Sequence, residues 1–173
     1  CEKIKNNKPY NPENYIVKLN IEESVDFIPT TLRFGAVDSW TQMECGVLDH
    51  FLQTDWIQEN YDIVIIDTPP TISNTQLMAA IASDHILIPC EAEAQSVSGA
   101  INLINSISMV SSFIKKEINF LAAFICRFDN RFHSMDVIKN AMNNSFNFPI
   151  LDSVIPYRAA GAELHLQKKL VFD

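Results

Sequence analysis

The sequence predicts an α/β fold, a mostly parallel sheet with helices on both faces. Two observations carry that expectation. Short apolar runs recur at 62–67, 84–90, 118–126 and 150–156, rich in Ile, Leu, Val and Phe; runs of this kind, bounded by turn residues, read as buried strands. Between them lie the helical patterns 73–82, 95–113 and 135–146. Strands alternating with helices make parallel βαβ units, whose crossovers are right-handed.

In chain order, residues 1–14 are polar, with Asn6, Asn7, Pro9, Asn11, Pro12 and Asn14, and read as a loop. Tyr15 to Leu19 reads as a short strand or the end of a helix. Val25 to Ile28 reads as a strand stopped by Pro29. Trp40, Met43, Val47, Leu48, Phe51, Leu52 and Trp56 recur in steps of three and four, which predicts one amphipathic helix over 40–56. In the second long helix, Val97, Ile101, Ile104, Met109 and Phe113 form the expected apolar stripe, and 159–169 reads as a terminal helix. The whole chain, 1–173, is expected to form a single α/β domain.

The run Ile63-Val64-Ile65-Ile66 is the expected central strand, apolar on both faces and ending at Asp67. Pro69 and Pro70 then stop the ladder, because neither donates a backbone hydrogen bond. Ligands of open α/β sheets bind beyond the carboxyl ends of the strands. Asp67 thus sits where a carboxylate holds magnesium, directly or through water. The alternative is that Asp67 only caps the following turn.

Composition narrows the function. Hydrophobic residues make up 47% and charged residues 20% of the chain, ordinary for a globular domain. No apolar run approaches the roughly 18 residues that span a bilayer, and no signal segment opens the sequence, so a cytoplasmic protein with no membrane partner is expected. A net charge of −8 opposes a protein coated in basic residues for nucleic acid, but leaves room for a local basic patch. Cys1, Cys45, Cys90 and Cys126 share no metal-ligand spacing; Cys90 and Cys126 close apolar runs and read as reduced core thiols. A native chain starts with Met, so Cys1 predicts a piece of a longer chain, with a lipid-modified terminus as the alternative. His50, His85, His133 and His165 form no i, i+4 metal pair, and no nucleophile elbow occurs. Glu91 and Glu93 pair at a strand end and read as solvated or interface groups.

A phosphate-cradling loop needs glycines followed by Lys-Ser or Lys-Thr. Gly35, Gly46, Gly99 and Gly161 are followed by Ala36, Val47, Ala100 and Ala162, so this sequence contains no such loop.

Other segments carry a resemblance. Asp67-Thr68-Pro69-Pro70, Phe27-Ile28-Pro29, the strand 84–93 ending at Glu93, Phe128-Asp129-Asn130-Arg131, Val154-Ile155-Pro156, Glu163 and Phe172-Asp173 occur in the order found in ParA/MinD-type ATPases, the P-loop NTPases with a variant Walker A loop. The chain resembles the carboxyl-terminal portion of a ParA-type partition ATPase domain over about 25–173, giving an incomplete P-loop NTPase-like fold. The resemblance implies ATP and magnesium as cofactors of the full-length protein. Asp67, Thr68, Pro69 and Pro70 would lie at the nucleotide, with Asp67 on magnesium through water and 68–74 reporting the γ-phosphate. Glu93 and Gly99 would lie at the face of an ATP-state homodimer. Arg131, with Arg158, Lys168 and Lys169, would touch DNA without sequence preference, and a ParB-like, centromere-bound partner would stimulate hydrolysis. The protein would partition plasmids or chromosomes on the nucleoid. Residues 1–173 alone are expected to be inactive as an ATPase. The alternatives are a truncated homologue serving only as a binding module, or a MinD-like ATPase. In the family, further strands flank the 62–67 segment; without them its apolar residues would lie at an exposed edge, and 1–173 alone is expected to associate or be poorly soluble.

Overall fold

The computed structural model describes residues 9–18, 25–29, 44–69, 73–129 and 135–157. The chain forms two compact units: residues 1–84 with 110–116, and 85–109 with 117–173. None of the described helices is long and apolar enough to cross a membrane.

In the first unit, Pro12–Tyr15 forms a 3-10 turn, started by Glu13 N–H donating to Asn11 Oδ1 at 3.1 Å. β1 (Val17–Lys18) pairs antiparallel with β2 (Asp26–Phe27), Val17 opposite Phe27. The expected 40–56 helix is divided. Residues 40–43 lie outside the described set; Glu44–Gly46 is a 3-10 turn, followed by α1 (Val47–Leu52) and α2 (Asp55–Asn60). The cause is Thr54. Its backbone is extended, with ψ 141°, and its hydroxyl donates to the Phe51 carbonyl at 2.8 Å. Threonine offers the backbone such an alternative to the helical ladder. The apolar spacing survives the break, because Phe51, Leu52 and Ile57 form one buried cluster with Tyr10, Ile16, Leu48, Trp56, Tyr61 and Ile66 around it. α3 (Asn74–Ala82) packs Met78 and Ile81 against Cys45. Lys116 ties this unit: its ammonium lies 3.2 Å from Asp49 Oδ1 and donates to the Ile81 carbonyl, near the carboxyl end of α3, where the helix dipole favours a cation. Tyr61 donates to Asp26 Oδ2 at 2.6 Å; desolvation, then that carboxylate, push its hydroxyl up to about 12.

The expectation of a central strand at 62–67 is corrected. This segment has no ladder partner among the described residues, and it is not buried on both faces. Ile63, Val64 and Ile65 are 78%, 47% and 90% exposed. An apolar run becomes a strand only where neighbouring backbone supplies its hydrogen bonds. Only Ile66 is drawn into the cluster around Phe51.

The second unit confirms the α/β class. β3 (His85–Glu91), α4 (Ala94–Ile114, its residues 94–109 belonging to this unit), β4 (Asn119–Phe128), α5 (Met135–Ser145) and β5 (Ile150–Pro156) alternate, and the strands form a parallel sheet in the order β3-β4-β5. Ile88 and Cys90 of β3, Ala123 and Ile125 of β4, Val97 and Ala100 of α4, and Met142 of α5 share one core. Phe148 stacks with Phe120 and Phe146 at centroid distances of 5.2 and 5.3 Å. The stripe of α4 needs one correction. Met109 is 74% exposed and Ile107 is buried. Five residues after Ile104 is about 140° around a helix at roughly 100° per residue, so Met109 leaves the stripe. Cys90 and Cys126 are free thiols, as expected, the first fully buried and the second half-buried.

Lys115 follows α4 with φ 56°. A left-handed residue past a helix end is usually glycine, since a Cβ there costs about 1 kcal/mol or more. Lys115→Gly is therefore expected to stabilise the chain by about 1 kcal/mol, read as a rise of roughly 2–4 °C in Tm. A fall in Tm would mean that the lysine side chain compensates for its strained backbone.

Candidate functional site

Asp67, Thr68 and Pro69 follow Ile66 as an exposed segment. Two anchors position it. Ile66 packs into the apolar cluster before it. After it, Gln76 on the first turn of α3 donates through Nε2 to the Pro69 carbonyl at 3.0 Å. Pro70 lies outside the described residues. Two oxygens at this helix start, Ser73 Oγ and Gln76 Oε1, are buried with no hydrogen-bond partner among the described residues. The groups here are hard oxygen donors, the chemistry that suits magnesium. No three His, Cys, Asp or Glu side chains converge on a metal site among the described residues. Asp67 offers one exposed carboxylate here, a hard oxygen ligand of the kind magnesium takes.

At the second candidate site, Glu93 is exposed between β3 and α4. Its N–H donates to the Glu91 carbonyl at 2.7 Å, and its own carbonyl accepts from Ser96 and Val97 N–H at 3.1 and 3.3 Å. Gly99 lies six residues further on, in α4, and is exposed; a Cβ there would meet nothing within 4 Å. Nothing the chain packs there demands a glycine. Arg131, Arg158, Lys168 and Lys169 lie outside the described residues, as do His133 and His165; His50 and His85 are exposed.

Sequence reasoning missed Arg127. It pairs with Glu91 at 2.9 Å, and its guanidinium sits 5.9 Å from the centre of the Tyr157 ring. The available signal was a charged residue directly between Cys126 and Phe128, in a strand that is apolar from Phe120 to Cys126. Nearby, burial first and then the Cys126 thiol push Cys90 up to about 11.

The profile of a protein family described as an AAA domain matches residues 3–120, more than half of the chain. The chain belongs to this family, that of the ParA/MinD-type ATPases. Among its ParA-type relatives, the sporulation initiation inhibitor protein Soj of Bacillus subtilis is 24% identical over 161 residues, 91% of this chain and 64% of its own. The chromosome-partitioning ATPase Soj of Thermus thermophilus is 25% identical over 105 residues, 61% of this chain and 42% of its own. The ATP complex of Cyanothece McdA superposes with a TM-score of 0.83 at 21% identity, covering 99% of this chain and 66% of McdA; at that identity the likeness is one of fold. The chain spans 41% of the length of the first curated relatives it matches.

Proposed function

We propose that these residues are part of a ParA-type partition ATPase, an ATP-switched protein that binds DNA without sequence preference and acts on the nucleoid. The observation that carries this reading is the open Asp67-Thr68-Pro69 segment, anchored at both ends, in a chain that matches the AAA domain over 3–120. The chromosome-partitioning name of the Thermus relative supports the biological role, and the ATP bound to McdA supports the cofactor.

Asp67 would hold magnesium through water, with Thr68, Pro69 and Pro70 beside the nucleotide. Magnesium, when bound, neutralises phosphate charge. Gln76, by fixing the Pro69 carbonyl, holds the segment in place; release of that tie would turn 68–74 into an ordered-to-mobile switch. Glu93 and Gly99 would face a second copy in the ATP state, and the exposed space at Gly99 leaves room for its backbone. Arg131, Arg158, Lys168 and Lys169 would supply phosphate contacts, and a ParB-like partner would stimulate turnover. Hydrolysis requires a phosphate cradle, which none of the four glycines here supplies.

The test uses the complete encoded protein saturated with ATP and magnesium. It is expected to bind random-sequence duplex DNA with affinity that falls steeply as salt rises, because phosphate contacts release counterions. Replacing Arg131 by Ala should weaken binding about equally for all sequences and lower the salt slope by about one. Absence of salt-sensitive DNA binding under these conditions would sink the partition reading.

A further inference from the structure

Arg127 adopts the left-handed conformation, φ 52°, inside β4. A residue with a Cβ disfavours that region, whereas glycine enters it freely. The ladder shows what the conformation accomplishes. From Ile125 to Phe128, three steps along β4 match two steps along β5, from Val154 to Pro156. That is a bulge with one surplus residue on β4, and a bulge whose first residue is left-handed ordinarily carries glycine. In an unbroken strand, residues 125 and 127 would share a face and 128 would take the other. Here Ile125 and Phe128 are buried in the same apolar cluster, and Arg127 is exposed instead.

The side chain thrown outward gathers the carboxyl ends of three strands. Its Nη1 donates to Oε1 of Glu91, the last residue of β3, at 2.9 Å. Its guanidinium lies over Tyr157, just past β5, whose N–H donates to the Phe128 carbonyl at 2.8 Å. Glu91 is also the first post of the turn into α4. Its N–H donates to Ser96 Oγ at 2.9 Å, and its carbonyl accepts the Glu93 N–H at 2.7 Å.

We propose that Arg127 is a positioning residue: through Glu91 it holds the 91–96 turn, and with it Glu93, in the geometry from which α4 begins. Global stability gives no reason to keep arginine here. The ion pair is largely exposed, which makes it weak, and the backbone would be served better by glycine. What the arginine adds is the tie between strand ends, and a strained residue at such a rim points to function. The tie itself stands on the geometry of this unit alone. Its consequence for Glu93 as a dimer-face residue rests on the partition reading above.

The experiment compares the complete protein with Arg127→Gly, Glu91→Gln and the double variant, by amide hydrogen exchange across 88–98 together with thermal melting. Arg127→Gly is expected to keep or raise Tm while exchange in 91–96 becomes about two- to fivefold faster, the range expected when one exposed ion pair is lost. Glu91→Gln should give the same acceleration, and the double variant no more, because both remove one interaction. Unchanged exchange in 91–96 would overturn the proposal. So would a lowered Tm with faster exchange spread evenly over β3, β4 and β5, since that describes a residue the fold needs rather than one that places a turn. If the turn loosens while ATP-driven self-association is untouched, the tie holds and the dimer-face role of Glu93 is what fails.

Discussion

Replacing Asp67 by asparagine in the complete protein is expected to lower ATP hydrolysis by about two orders of magnitude or more, the usual cost of removing one group that acts on developing phosphate charge. The carboxylate is exposed and its segment is held from both sides, by Ile66 in the core and by Gln76 on the Pro69 carbonyl. Asparagine keeps the shape and removes the negative charge, so folding should not change; only the attraction for a divalent cation is lost. Phosphate release measured across a magnesium titration checks this. The variant should turn over slowly at every magnesium concentration, and Asp67→Glu should recover part of the rate. Parental turnover with parental magnesium dependence would leave Asp67 as a turn residue only. Residues 1–173 on their own are expected to release no phosphate, because they contain no glycine-lysine cradle.

The second large effect concerns Ile63 and Ile65. In a chain of residues 1–173, both are almost fully open to water and the backbone beside them is unpaired among the described residues. Such an edge templates association with other chains. The parent chain is expected to sediment as oligomers, and Ile63→Lys with Ile65→Lys to sediment as a monomer with little change in Tm. The same pair placed in a longer chain that covers this run should have the opposite consequence. Two ammonium groups forced into an apolar interior without partners cost about 3 kcal/mol or more each, enough to unfold an ordinary domain. The contrast separates a surface that is open by design from one awaiting further strands. A parent chain that sediments cleanly as a monomer would remove the premise.

The second unit was largely legible in the sequence because its elements are bounded by their own chemistry. β3, β4 and β5 are apolar runs that find one another through two local crossovers, and α4 starts and stops within a residue of its pattern. Three features were not legible, each for a different reason. Thr54 divides a helix whose apolar spacing runs through the break, so periodicity alone cannot mark it. Ile63 to Ile66 has the composition of a strand, and its exposure in 1–173 alone agrees with the expectation of missing flanking strands, but that it would have no ladder partner among the described residues depends on neighbours that no local pattern encodes. Arg127 hides a bulge, because the residue that usually announces one is glycine. At the site, position and charge singled out Asp67, whereas the Gln76 tie that fixes its segment depends on a helix start folding back, which spacing does not reveal. Met109 shows the same limit on a smaller scale: one step of five residues is enough to turn a side chain from core to solvent.

Cys90 is fully buried in β3, and its proton is held up to a pKa of about 11. Alkylating reagents attack the thiolate, which such a group barely populates near neutrality. Modification of Cys90 must therefore wait for its strand to part from its neighbours, so the labelling rate clocks how often this sheet breathes.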